Sequence, residues 1–377
     1  MLPLSEMRAF IINKTANNGR LFGDRLPVST QNGRYSFAED GFWVGGFWTG
    51  LNWLCFEMSG DRAFAEVARA SRHRFIKRLY EHPETLDHDT GFLYQLSFIA
   101  DYKLTGNVDA RKIALDSAKA LRARFNPKGK FIQAWNVWKP GQAFSEENRG
   151  RIIIDCMYNL PLLFWAAEQT GDDAFRETAV AHADTCAATM IRPDYTTYHT
   201  YVFEPDTGEP KYGRTAQGYD HESCWTRGQS WAIGGYAYAY RYTGNRRYLD
   251  IALGTAKAFM ERVEEDGIPM WDFSIPSKEG EPRDSSAATI AVAGILELAS
   301  HLGEGEDRSR LERYAERTLA SLWNHYSSRE LPEEQGLILH ACGSRKMGGD
   351  LDCSFPFADY YFAESVARLS GMTRAYW

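Results

Sequence analysis

The sequence has no Cys-x-x-Cys pair, no stripe of basic residues, no Pro- or Ser-rich linker and no long apolar run. Its longest apolar stretch, residues 160–167, is far shorter than the roughly 20 residues a membrane helix needs. The N-terminus mixes Pro3, Glu6 and Arg8 among its apolar residues, so no signal-peptide core is expected there and no membrane partner either. Six scattered cysteines (Cys55, Cys156, Cys186, Cys224, Cys342 and Cys353) read as buried free thiols of a reducing compartment, which predicts a cytoplasmic protein. A formal net charge of −7 argues against a nucleic-acid partner. It leaves an anionic substrate open, because a few local cations and helix termini outweigh a distant net charge. Several catalytic signatures are missing too. There is no HExxH, no clustered His/Cys ligand set, no phosphate-cradling glycine loop and no GxSxG elbow. His88 beside Asp89 is too little for a metal site, so neither metal nor cofactor is expected.

What is present is 44% hydrophobic and 14% aromatic residues, ample for a large core, arranged in a recurring phrase. An apolar helical stretch ends at a Gly, often followed by Asp or Asn, and a charged amphipathic helix begins. The phrase stands at Gly60-Asp61, Gly106-Asn107, Gly171-Asp172 and Gly244-Asn245, more loosely at Gly303-Glu304, with Gly371 as a sixth. Glycine ends a helix because it enters the left-handed region cheaply, and Asp or Asn caps the helix that follows. The intervals run from 46 to 73 residues, each enough for two helices. Stretches before the glycines (47–58, 92–104, 160–170, 231–242 and 287–302) are apolar nearly all round, whereas those after them (such as 62–79 and 246–263) carry charge on one face. The first kind belongs to an interior layer and the second to the outside. Six of each predict an all-α fold, an (α/α)6 barrel forming a single domain over residues 1–377. An open solenoid would show regular repeats. Short β pieces are expected at 197–203 and 267–273, as ornaments on loops.

Inner helices that all run one way gather their N-termini at one mouth, a positive field suited to a carboxylate or sulfate. Two carboxylates stand in the segments that enter them. Asp89 precedes Thr90-Gly91 at a helix start, where an N-cap is the simpler account. Asp155 follows three isoleucines and precedes another apolar helix, so its pKa should rise, unless it is a buried cap or pairs with Arg149 or Arg151. A raised-pKa Asp beside an ionised one allows proton donation near neutral pH. Trp43, Trp48, Trp135, Trp138 and Trp225 are candidates for stacking on sugar faces, and core positions are the competing account of each. Arg227 and His199 are candidate partners of a substrate carboxylate, Arg227 through a bidentate fork; for His199 a hydrogen-bonded core histidine competes.

Taken together, LDHDTGFLY (86–94), GRIIIDCMYNLPLLFWAAEQTGD (150–172) and WTRGQSW (225–231) resemble the unsaturated glucuronyl hydrolases of glycoside hydrolase family 88, and the likeness spans nearly the whole chain. The resemblance implies the same (α/α)6 barrel. It also implies hydrolysis of lyase-generated oligosaccharides, releasing the non-reducing-end 4,5-unsaturated uronic acid by hydration of its C4=C5 bond. Asp155 then matches the general acid/base and Asp89 the second aspartate. Trp43, His199, Gln217, Trp225 and Arg227 match the subsite for the unsaturated sugar, and Trp135 an aromatic wall. No metal or organic cofactor is implied. Two departures bear on substrate choice. Gly45 stands where relatives often carry a polar residue. Residues 341–346 read Ala-Cys-Gly-Ser-Arg-Lys where some relatives that favour sulfated fragments carry Ser-x-x-Ser-x-Lys, and a solvated basic turn is the plainer account of Ser344, Arg345 and Lys346. The alternatives are a rhamnogalacturonyl hydrolase of the sister family and, in another class, a helical-barrel sugar epimerase. Oligomeric state has no signature in the sequence.

Overall fold

The computed structural model describes residues 2–372 and 376–377, so Met1 of the N-terminal stretch lies outside it. Six inner helices form a closed ring: Gly45–Ser59, Thr90–Tyr94 continuing to Ala100–Thr105, Leu160–Thr170, Thr226–Thr243, Ser285–Ser300 and Pro356–Leu369. Around it stand six outer helices: Leu4–Phe22, Arg62–Ala70 with Arg72–Tyr80, Val108–Arg122, Asp173–Thr189, Arg246–Arg262 and Glu306–Ser321. The chain is an (α/α)6 barrel.

The recurring phrase works as its chemistry demands. Gly60, Gly106, Gly171 and Gly244 all take the left-handed conformation, with φ between 66° and 74°. In each case the next residue caps the outer helix through its side chain: Asp61 accepts from Ala63 N, Asn107 from Asp109 and Ala110 N, Asp172 from Ala174 N, and Asn245 from Arg247 N. The looser fifth copy departs. Its inner helix ends at Ser300, and His301 at the cap stays right-handed. Gly371 turns as expected (φ 90°), but among the described residues no outer helix follows it. The sixth outer position is filled from the other end of the sequence, by Leu4–Phe22 packed on both Gly45–Ser59 and Pro356–Leu369.

The inner helices are buried on nearly every side, and their rings meet on the barrel axis. Phe47, Phe92, Tyr158, Trp231 and Tyr361, all fully buried, form a chain of centroid contacts of 5.0–5.7 Å. Trp377 stacks on Tyr361 at 5.8 Å with planes 9° apart, and its indole N–H donates to Glu364. This aromatic layer is the floor beneath the mouth.

One β expectation needs correcting. Thr200–Phe203 is a strand, but it pairs with Arg151–Ile153 and Pro210–Arg214 in a three-stranded antiparallel sheet that carries a wall of the site. Residues 267–273 make only single bridges, Met270 to Arg283 and Trp225 to Asp272.

Candidate active site

A cavity of about 890 Å³ opens at the mouth where the inner helices begin. Trp43 and Val44 enter it just before the first inner helix, Asp89 before the second and Asp155 before the third. Trp225 and Arg227 lie at the start of the fourth, and Phe355 and Phe357 at the start of the sixth. Seven of the eight residues that the resemblance assigns to the site line it together: Trp43, Asp89, Trp135, Asp155, Gln217, Trp225 and Arg227. The eighth, His199, is buried beside two of them, its ring 4.3 Å from that of Trp225 and 6.3 Å from Trp135. Trp48 belongs to the core, packed 5.0 Å from Phe22. A wider depression of about 1100 Å³ between two outer helices, lined by Lys119, Arg122, Glu177 and Asp184, contains none of these residues.

Asp89 occupies the N-cap position of its helix, yet its carboxylate caps nothing. Asp155 pairs with neither neighbouring arginine, since Arg149 is bound to Glu146 and Arg151 to Glu147. One Asp155 carboxyl oxygen, Oδ1, is buried without any hydrogen-bond partner. Burial raises the Asp155 pKa to about 7, against the partial offset of the nearby Arg227 charge. Asp89 is raised well above the usual carboxylate range, first by burial and then by the charges of Asp87 and Asp155. The second aspartate, expected to stay ionised, is therefore shifted in the same direction as its partner, by burial and by the charges that share the cavity with it.

Asn159 ties the two acids together. Its Oδ1 accepts from Phe92 N at 2.7 Å, on the helix Asp89 begins, and its Nδ2 donates to the Asp155 carbonyl at 3.3 Å. Gly91 makes this contact possible, since a Cβ there would sit 2.6 Å from the Asn159 Cα.

Arg227 differs from the expected free fork. Its Nη1 donates to Asp284 at 2.7 Å and to the Cys342 carbonyl at 2.6 Å, and its Nη2 donates to the Gly343 carbonyl at 2.7 Å. The guanidinium also lies 4.5 Å from the Trp225 ring centre. It is thus a buried brace for residues 342–343 as well as a positive charge beside Asp155. Gln217 Nε2 donates to the same Gly343 carbonyl at 2.9 Å. His199 Nδ1 accepts the backbone N–H groups of Ala216 and Gln217 at 3.1 and 3.3 Å, which leaves its proton on Nε2, a buried donor with no partner. Burial and neighbouring cations hold this ring neutral.

Reading the sequence missed three groups. Asp87, also in the lining, accepts from Asp89 N at 2.9 Å and is itself raised by burial. His88, set aside as a metal ligand, lines the cavity with both ring nitrogens unpartnered and Nδ1 3.3 Å from Asp89. Asp284 neutralises Arg227 from beneath. The adjacency of all three of 87–89 in LDHD was the available signal; nothing local pointed to Asp284.

The family model "Glycosyl Hydrolase Family 88" matches residues 23–375. The chain belongs to glycoside hydrolase family 88. It is 41% identical to the unsaturated glucuronyl hydrolase of Bacillus sp. (strain GL1), covering 96% of each sequence. It is 37% identical to the unsaturated chondroitin disaccharide hydrolase of Streptococcus agalactiae, covering 94% of this chain and 88% of that one. The solved structure of the Bacillus sp. GL1 enzyme superposes with a TM-score of 0.92 at 39% identity, over 97% of this chain and 96% of that one. An unsaturated glucuronyl hydrolase mutant from Streptococcus agalactiae, complexed with dGlcA-GalNAc6S, superposes at 0.86 with 32% identity, over 99% and 93% of the two chains. This chain is a glycoside hydrolase of the same kind.

Proposed function

We propose that this chain releases the non-reducing-end 4,5-unsaturated uronic acid from lyase-generated oligosaccharides, and that all 377 residues serve as one catalytic domain in the cytoplasm. One observation carries the chemistry: Asp155, raised to about 7, has an unpartnered carboxyl oxygen in a cavity that a second raised carboxyl shares. Neutral Asp155 delivers its proton to C4 of the enol ether, and the cation at C5 is stabilised by the ring oxygen. The Asp155 carboxylate then takes a proton from a water as that water adds to C5. The resulting hemiketal opens to a ketone, which leaves the anomeric carbon as a hemiacetal that expels the remaining saccharide. Asp89 holds the hydroxyls of the reacting sugar and, once ionised, favours the protonated form of its neighbour. Arg227 supplies positive charge for the substrate carboxylate, His199 an unspent Nε2–H and Gln217 an amide. Trp43 and Trp225 flank the unsaturated ring, and Trp135 receives the next sugar. A sulfate on that second sugar would meet Ser344 and Lys346, which line the same cavity, while Arg345 is held by Glu281.

The test is a panel of unsaturated disaccharides from hyaluronan, chondroitin, heparin and rhamnogalacturonan lyases, followed by loss of their conjugated ultraviolet absorbance. Asp155→Asn should lower the rate by about 10²–10⁴-fold with the helical signal unchanged. Retained activity removes Asp155 from its role, and preference for the rhamnogalacturonan product moves the chain to the sister activity.

A further inference from the structure

Among the described residues, nearly every arginine is engaged by a carboxylate, a carbonyl or another acceptor; the exceptions are Arg62, Arg310, Arg313 and Arg317. Three of these line one groove. Arg310, Arg313 and Arg317, all exposed, share with Met260 and Tyr314 the lining of a cavity of about 430 Å³. It lies between two outer helices, Arg246–Arg262 and Glu306–Ser321. Tyr314 is buried and Met260 half-buried, so the arginines stand over an apolar base. None of the five lines the catalytic cavity.

Positions 310, 313 and 317 follow the three-and-four spacing that sets side chains in one row along a helix, and like charges so placed repel. The acids nearby do not relieve them. Glu312 takes Arg308 at 2.8 Å and Asp307 takes Lys257 at 2.8 Å, while Glu261, Glu306 and Glu316 form no ion pair with any of the three. Past the helix end, Glu264 and Asp266 are held by Lys278, Arg283 and Tyr326. Arg317 has only the Tyr314 ring, 5.6 Å from its centre. A row of positive charge left without counter-charge, in a chain of net charge −7, breaks a local rule with no local gain, as binding surfaces do.

We propose that this groove is a second binding site, outside the barrel mouth, for a small molecule carrying tetrahedral oxyanions of the phosphate or sulfate kind. Guanidinium forks present paired N–H donors that match such oxygens two at a time. The cavity has the size of a small-molecule site, and Tyr314 and Met260 offer an apolar surface to the body of the ligand. Arg310 and Arg317 stand two helical turns apart, about 10 Å along the axis. One ligand with two or more anionic groups spans that row.

The experiment is calorimetric titration with sodium tripolyphosphate, run against sodium chloride of equal ionic strength. The wild-type chain is compared with Arg313→Ala, Arg313→Lys and the triple variant Arg310→Ala/Arg313→Ala/Arg317→Ala. The wild type should bind tripolyphosphate with a dissociation constant of about a millimolar or lower. Arg313→Ala should weaken binding about threefold to fivefold, Arg313→Lys should recover only part of that, and the triple variant should not bind. Turnover of an unsaturated disaccharide should be equal in all four chains, because alanine sustains an exposed helix. Glucosamine 6-phosphate and glucosamine 6-sulfate, titrated in the same way, separate the sources: tighter binding of the first assigns a phosphorylated metabolite, of the second a sulfated saccharide. Binding that survives in the triple variant, or heats no larger than those of sodium chloride, overturns the site.

Discussion

Asp155 and Asp359 are both pushed up to about 7 by burial, and only one of them faces the cavity. Asp359 accepts from the N–H groups of Leu337 and Ile338 at 2.9 and 3.0 Å and from the Tyr35 hydroxyl at 2.8 Å, so its work is structural. Asp155 lines the cavity and keeps one buried carboxyl oxygen, Oδ1, without a hydrogen-bond partner. A raised pKa alone does not separate the two; the unspent oxygen does. A catalytic acid at about 7 predicts that kcat/KM holds steady on the acid side and falls tenfold per pH unit above neutrality, which a pH–rate profile on a disaccharide checks. The same shift fixes a stability effect. Folded Asp155 binds its proton more tightly than the unfolded chain does, so its contribution is complete below the ordinary value of 3.8 and is lost as pH rises toward about 7. Asp155→Asn should therefore melt higher than the wild type, by on the order of 2 °C at pH 8 and by less at pH 4. An advantage that did not grow with pH would show that Asp155 ionises normally.

At the scale of elements, the two acids are registered by the contact between the second and third inner helices. Gly91 and Asn159 meet where the Asp89 helix begins and the Asp155 turn ends, and Gly46 lets the first inner helix approach equally closely, a Cβ there falling 2.0 Å from the Phe92 carbonyl. Gly91→Ala should push these helices apart, lowering stability by about 1–3 kcal/mol and activity by more than the stability loss alone explains. Urea unfolding and disaccharide turnover, measured on the same preparation, separate the two effects. This is also where legibility in the sequence divides. The capping phrase at Gly60, Gly106, Gly171 and Gly244 was readable because it is local chemistry, and it gave the barrel. The Asn159 bridge spans 67 residues to Phe92 and has no local signature. The Arg227–Asp284 pair spans 57 residues, so a tethered brace looked in the sequence like a free fork. Asp89 was ambiguous for the opposite reason: a cap position is visible in sequence, but whether the carboxylate uses it is decided by what lies across the cavity.

For the whole molecule, the floor of aromatic rings joins residues from both ends of the sequence. Trp377 is buried against Tyr361, and its carbonyl accepts from the Tyr242 hydroxyl at 3.1 Å. Trp377→Ala should remove about 3–5 kcal/mol of stability, read as a lower urea midpoint with an unchanged slope.

The ring also shuts on itself through its earliest segment. Thr30 N donates to the Ser354 carbonyl at 3.1 Å, Tyr35 holds Asp359, and the helix Leu4–Phe22 clasps Pro356–Leu369. During vectorial synthesis both acids therefore emerge well before the stave that completes their chamber. Contacts this distant along the chain make folding slow and late, so a nascent or prematurely terminated polypeptide carries the catalytic side chains without a reaction vessel, and competence arrives all at once with the final helix.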